Sequence, residues 1–114
     1  MHQLTLEILP QSFAICRLNA NAAVPSWADN GVFATITRTA HELSVVCLAD
    51  AVPADVQATR DWRALRVVGT LDFALTGILS AIAAPLAHAQ ISIFAVSTYD
   101  TDYVLVREAT LDQA

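Results

Sequence analysis

One long stretch of this sequence has helical periodicity, and that stretch limits the folds open to it. Beginning at Asp72, the apolar residues Phe73, Ile78, Leu79, Ile82 and Leu86 recur on one helical stripe. Asp72 can cap the N-terminal turn. The alanines between the stripe residues let such a helix lie close on a sheet, and Pro85 should bend or shorten its last turns. The other apolar runs are short and rich in β-branched residues, so they read as strands. A helix with one apolar stripe beside several short strands makes an α+β domain, the stripe buried on the sheet.

The strands follow from alternation and from turn residues. Residues 4–9 alternate apolar and polar, residues 10–12 (Pro-Gln-Ser) break the run, and residues 13–18 resume it, which predicts a hairpin. Residues 19–30 form an Ala-rich polar loop containing Pro25, with room for a single helical turn at Ser26-Trp27. Residues 32–37 and 43–48 are two further strands around a turn at His41-Glu42, the second apolar enough to be covered on both faces. Residues 51–60, with Pro53, read as a linker or a short helix. A strand at 62–68 ends at Gly69 and leads to the helix. Residues 91–97 and 103–107 make a hairpin around the turn at 99–102, and residues 110–113 form the stub of a terminal helix. The expected division is 1–60 and 61–114.

Composition narrows the partners. With 114 residues the protein buries roughly 65% of its unfolded surface, enough to fold without metal or disulfide. Apolar residues make up 55% and charged residues 15%. Such an excess of apolar surface is most simply buried against a second copy, so a homodimer is expected. The formal charge is −5, and the basic residues are six scattered arginines with a single cluster from Arg60 to Arg66. Nucleic acid requires a broad basic face, so it is not an expected partner. Cys16 and Cys47 lie in apolar runs and read as buried free thiols. Residues 73–90 are apolar but Ala-rich and broken by Thr76, Gly77, Ser80, Pro85 and His88, so they fit a buried helix better than a membrane span. The N-terminus lacks a basic leader, and a cytoplasmic protein is expected.

The second half resembles the ACT domain, a ferredoxin-like βαββαβ unit. The residues that carry the likeness are Val67 to Phe73, Thr76-Gly77-Ile78-Leu79, Pro85-Leu86-Ala87 and the run from Ile91 to Val106 (ISIFAVSTYDTDYVLV). The likeness is to small bacterial tandem-ACT proteins of the CASTOR-like group. Arg38 to Cys47 extend it to the first half, where the pattern is degenerate because no long helix is visible. The resemblance implies an α+β, ferredoxin-like architecture of two ACT-like halves, the first degenerate. It further implies a regulatory module that holds an amino acid between those halves. On that basis Ser44 and Val45 would offer strand backbone and a hydroxyl. Gly77 and Ile78 would offer N–H groups of the helix start, and Thr98, Tyr99 and Asp102 would line the opposite wall. The alternative implied function is an ACT module that only mediates assembly.

The residues themselves bear on this. A helix N-terminus suits a carboxylate. Gly77 inside a helix costs ~1 kcal/mol relative to Ala, so it answers either to close packing on the sheet or to close approach of a ligand. Asp100 reads as a turn residue, whereas Asp102 suits a ligand's ammonium or guanidinium group. His2, His41 and His88 stand apart from one another and form no metal site. Trp27 and Trp62 read as core or interface anchors. There is no nucleophile elbow, phosphate loop or zinc-protease motif, and Cys47 with His41 reads as packing. Neither enzymatic activity nor a cofactor is therefore expected.

Overall fold

A computed structural model of the protein describes residues 5–68 and 78–113. Those residues form strands β1 (Leu6–Ile8), β2 (Phe13–Leu18), β3 (Thr35–Arg38), β4 (Leu43–Leu48), β5 (Ala58–Val67), β6 (Ile93–Ser97) and β7 (Asp102–Arg107), with helix α1 (Ile78–His88) between β5 and β6. The protein divides into two compact units. One is Gln11–Trp62; the other joins Met1–Pro10 to Arg63–Ala114. The division falls within β5, where the pairing with β2 shifts register and Asp61 has φ 67°. One extra residue on β5 and a left-handed backbone are the marks of a β-bulge.

The unit formed by Gln11–Trp62 is all-β among its described residues, with strand order β3-β4-β2-β5 and antiparallel pairing throughout. Strand alternation sends Ala14 and Cys16 of β2 and Leu43, Val45 and Cys47 of β4 to one face. That face is covered by loop residues, not by a helix. Ala22, Trp27 and Ala28 from residues 19–34 pack on it, as do Val52 and Val56 from the connection to β5. Phe13 points to the other face, and Phe33 meets it edge-on, ring centroids 5.7 Å apart. Arginines fasten the loops. Arg38 donates to the carbonyls of Ala20 and Ala22, and Arg60 donates to those of Ala49, Val52 and Pro53. These bonds satisfy carbonyls that a helix would otherwise have paired internally.

The second unit is helical. Its strand order is β1-β5-β7-β6. The Thr101 hydroxyl before β7 donates to the Val67 carbonyl at the end of β5, and Arg63 within β5 lies 3.8 Å from Glu108 just after β7. β5 and β7 therefore run antiparallel, and β6, antiparallel to β7, runs parallel to β5. This is a split βαβ with α1 as the connection. Ile82 and Leu86 of α1 pack on Val67, Val104 and Val106, as the sequence stripe predicts. α1 continues past Pro85 to His88. It ends with the Ile91 N–H donating to the Leu86 carbonyl and the Gln90 N–H to that of Ala87, with Gln90 at φ 61°. That is a Schellman closure with a non-glycine residue in its left-handed position.

Two expectations are corrected. Residues 4–9 and 13–18 do not form a hairpin: β1 pairs antiparallel with β5, Leu6 opposite Val67 and Ile8 opposite Leu65. A local turn signal at residues 10–12 says nothing about a partner nearly sixty residues away. Residues 51–60 are not wholly a linker either, because β5 begins at Ala58. The mixed α+β class holds, but the described part of the all-β unit contains no α-helix and so is not a βαββαβ unit.

Candidate functional site

Among the described residues of the helical unit, the β6–β7 turn is the most densely bonded loop. Ser97 pairs with Asp102, leaving residues 98–101 as the loop. The Thr98 N–H donates to the Thr101 carbonyl at 2.8 Å. The Thr98 hydroxyl donates to the same carbonyl at 2.9 Å and accepts from the Thr101 N–H at 3.2 Å. A side chain that closes its own turn in this way replaces turn-type glycine chemistry. Thr101 is only 5% exposed, and its hydroxyl reaches the Val67 carbonyl at 2.8 Å. The turn is thereby tied to the end of β5, from which the backbone proceeds towards α1.

Each expected site residue has a definite place. Tyr99 stands at the tip of the turn, 81% exposed, and Asp100 beside it is exposed. Asp102, the first residue of β7, is half-buried. Thr98 has its hydroxyl engaged in the turn as both donor and acceptor, which leaves it one acceptor lone pair. Ile78 is the first described residue of α1, while Gly77 lies outside the described residues. Thr98, Tyr99 and Asp102 are thus brought together on one turn.

Ser44 and Val45 belong to the all-β unit. β4 is paired on both edges, Val45 opposite Cys16 on one side and Ile36 on the other. Its backbone groups serve the ladders, and the Val45 side chain is wholly buried in the core. The expectation that these two residues offer strand backbone to a ligand is therefore corrected. What remains is the half-buried Ser44 side chain, which alternation turns away from Val45.

The charged residues are mostly committed. Beyond Arg38 and Arg60, Arg17 donates to the His41 carbonyl. Arg63 donates twice to the Leu9 carbonyl, and Arg66 pairs with Glu7 at 3.1 Å. The cluster from Arg60 to Arg66 acts as a set of internal staples. His41 and His88 are exposed, and no group of three or more His, Cys, Asp or Glu is placed to hold a metal among the described residues. Cys16 and Cys47 are free and buried in the all-β core. Burial, reinforced by the neighbouring Cys47 thiol, pushes the Cys16 thiol up to about 11, and burial also raises Cys47. A thiol held protonated in this way is a poor nucleophile. Sequence reasoning missed Thr101 and the stapling arginines. Two threonines at i and i+3 around Tyr-Asp were the available signal for the first; nothing in the sequence pairs an arginine with a distant carbonyl.

A family model described as the ACT domain matches residues 57–114. A second model, described as an N-terminal domain, matches residues 11–55. A solved protein from Agrobacterium tumefaciens is 43% identical, with a TM-score of 0.94 over 99% of this chain and 84% of its own. A Vibrio cholerae protein described as a possible transport protein is 18% identical, TM-score 0.78, over 96% of this chain and 83% of its own. An aspartate kinase from Clostridium acetobutylicum, described as allosteric, is 14% identical, TM-score 0.67, over 95% of this chain and 32% of its own. The last two show likeness of fold. No described helix is long and apolar enough to cross a membrane.

Proposed function

Because the chain belongs to the ACT-domain family, we propose that it is a regulatory module that binds an amino acid and catalyses no reaction. The observation that carries this reading is the span of the match. Residues 57–114 take in β5, α1 and the β6–β7 turn. In this proposal the ligand carboxylate meets N–H groups at the start of α1, by Gly77 and Ile78, where the helix dipole is positive. Its cationic group is held by Asp102, with Tyr99 and the remaining lone pair of Thr98 beside it. The tandem CASTOR-like arrangement, a homodimer and a cytoplasmic location complete the reading.

Thermal melts against the twenty amino acids test it. A ligand present at a hundredfold excess over its Kd adds about 2.7 kcal/mol, which a melt resolves. If no amino acid raises the melting temperature, the module serves assembly only. Titration calorimetry on two variants then tests the site. Asp102→Asn is expected to weaken binding about 30-fold or more, since a charge-assisted partner in a desolvated site is lost. Asp100→Asn, on the exposed tip of the same turn, is expected to change it little. Equal losses in the two variants would remove Asp102 from the site.

A further inference from the structure

The loop at residues 19–34 contains Asn19, Asn21 and Asn30. Asn30 is followed by Gly31, and the structure explains why glycine stands there. Gly31 has φ 84°, a backbone conformation that side chains disfavour. A β-carbon at this position would lie 2.3 Å from Leu48 Cδ1 and 2.8 Å from its Cγ. The fold therefore requires glycine after Asn30.

That requirement has a chemical consequence. The amide of an asparagine side chain is open to attack by the backbone nitrogen of the next residue, and the chief obstacle is a β-carbon on that residue. Asn30 has no such protection. It is exposed and lies outside any helix or strand. No hydrogen bond holds its side chain or the Gly31 N–H among the described residues. Asn19 and Asn21 differ on both counts. Each precedes an alanine, the Asn19 Oδ1 accepts from the Asn21 N–H at 2.9 Å, and the Ala22 N–H that would attack Asn21 donates to the Asn19 carbonyl at 2.9 Å.

We propose that Asn30-Gly31 is a self-modification site, at which the folded protein converts Asn30 to isoaspartate and aspartate. The Gly31 nitrogen loses its proton and bonds to Cγ of Asn30. The bond from Cγ to Nδ2 breaks, and that nitrogen leaves as ammonia. One water then opens the five-membered succinimide at either carbonyl. The net change is one water consumed and one ammonia released, with no transfer of electrons. The product carries a new negative charge next to Asp29, and in the isoaspartate form the backbone is longer by one carbon. That extra carbon falls immediately before the seat of Gly31 on Leu48 and three residues before Phe33, whose ring meets Phe13. The all-β unit is the part that loosens.

The experiment incubates the whole protein at mildly alkaline pH and follows the tryptic peptide of residues 18–38, which holds all three asparagines. Mass and fragmentation that separates isoaspartate from aspartate provide the readout. Asn30 is expected to gain about one dalton at least about tenfold faster than Asn19 or Asn21. Its rate in the folded protein should be within about threefold of that in urea, because Asn30 itself is exposed and neither its side chain nor the Gly31 N–H is hydrogen-bonded among the described residues. Asn30→Gln should abolish the gain. The isoaspartate form should melt below the Asn30→Asp variant, which has the charge without the longer backbone. Equal rates at the three asparagines would overturn the proposal, as would an Asn30 that survives in the folded protein while the unfolded one converts. Equal melting of the isoaspartate form and Asn30→Asp would overturn its structural consequence.

Discussion

The two units solve one problem in two ways. Taken in sequence order, β2, β3, β4 and the start of β5 occupy the same relative positions in the all-β unit as β5, β6, β7 and β1 occupy in the helical unit. The fourth place is the revealing one. The all-β unit fills it with the next strand in sequence, and the helical unit fills it with the first strand of the protein. Only the helical unit covers its core with an α-helix among the described residues. The other uses small residues from two loops, Trp27, and carbonyls fastened by Arg38 and Arg60. Strand order thus survives loss of the helix layer, provided that something apolar covers the face and something polar satisfies the loop backbone.

The sharpest way to break this comparison is to remove the anchor of the all-β unit. Phe13 is wholly buried, and Phe13→Ala should cost about 3–5 kcal/mol in urea unfolding, more than Leu86→Ala on the stripe of α1. A milder effect than that of Leu86→Ala would mean that the loop layer is slack enough to collapse around the gap, and that the two layers are not equivalent.

Alkaline pH separates the units next. Both cysteines and both tryptophans lie in the all-β unit, and the protein has no lysine. The Cys16 thiol titrates near 9.0 when unfolded and about 11 in the core. The raised value means that the fold favours the protonated form, so this contribution is complete below about pH 9 and is lost as pH rises through 11. Tryptophan fluorescence should report a falling melting temperature across that window. Cys16→Ala should lower stability at neutral pH but flatten the alkaline decline. A decline just as steep in the variant would assign it to other groups.

Thr101→Val probes the helical unit with less force. The exchange keeps the shape and leaves the Val67 carbonyl without its buried donor, at a cost of about 1–3 kcal/mol. Because the turn is tied to β5 through this bond, the loss should also lower affinity for any ligand that Asp102 holds. A variant that matches the parent in both stability and binding would show the tie to be incidental.

These contrasts also show what was legible. The stripe Ile82 and Leu86, the β6–β7 hairpin and the β3–β4 pairing are local, and period and turn residues disclose them. The place of β1 was not legible, because Leu6 finds Val67 across the whole all-β unit. The start of β5 was hidden by Thr59, Arg60 and Asp61, polar residues leading into a bulge. At the candidate site, the clustering of Thr98, Tyr99 and Asp102 on one turn was readable. The burial of Val45 was readable too, since the run at 43–48 is apolar enough to be covered on both faces; what the pattern did not disclose is that β4 is paired along both edges.

The smallest effect concerns the close of α1, where the helical unit has a feature that its counterpart lacks. Gln90 sits at φ 61°, in the position where such closures favour glycine. The hydrogen bonds of the closure run from the backbone of Gln90 and Ile91 to the carbonyls of Ala87 and Leu86, so none uses the Gln90 side chain. That residue is exposed. The apolar contact that accompanies the motif, between Ile91 and Leu86 within the core, also belongs to its neighbours. Gln90→Gly therefore keeps every interaction and removes the left-handed strain of a residue with a β-carbon, worth about 1–2 kcal/mol. The greater freedom of glycine in the unfolded state offsets part of that, roughly 0.4–1 kcal/mol. A net gain of about 0.5–1 kcal/mol should appear as a higher urea midpoint with an unchanged slope. The mirror test is Gln90→Val, in which a β-branched residue should lose stability at the same φ. If Gln90→Gly were neutral and Gln90→Val harmless, the close of α1 would be loose, and the helix layer would owe its place to Ile82 and Leu86 alone.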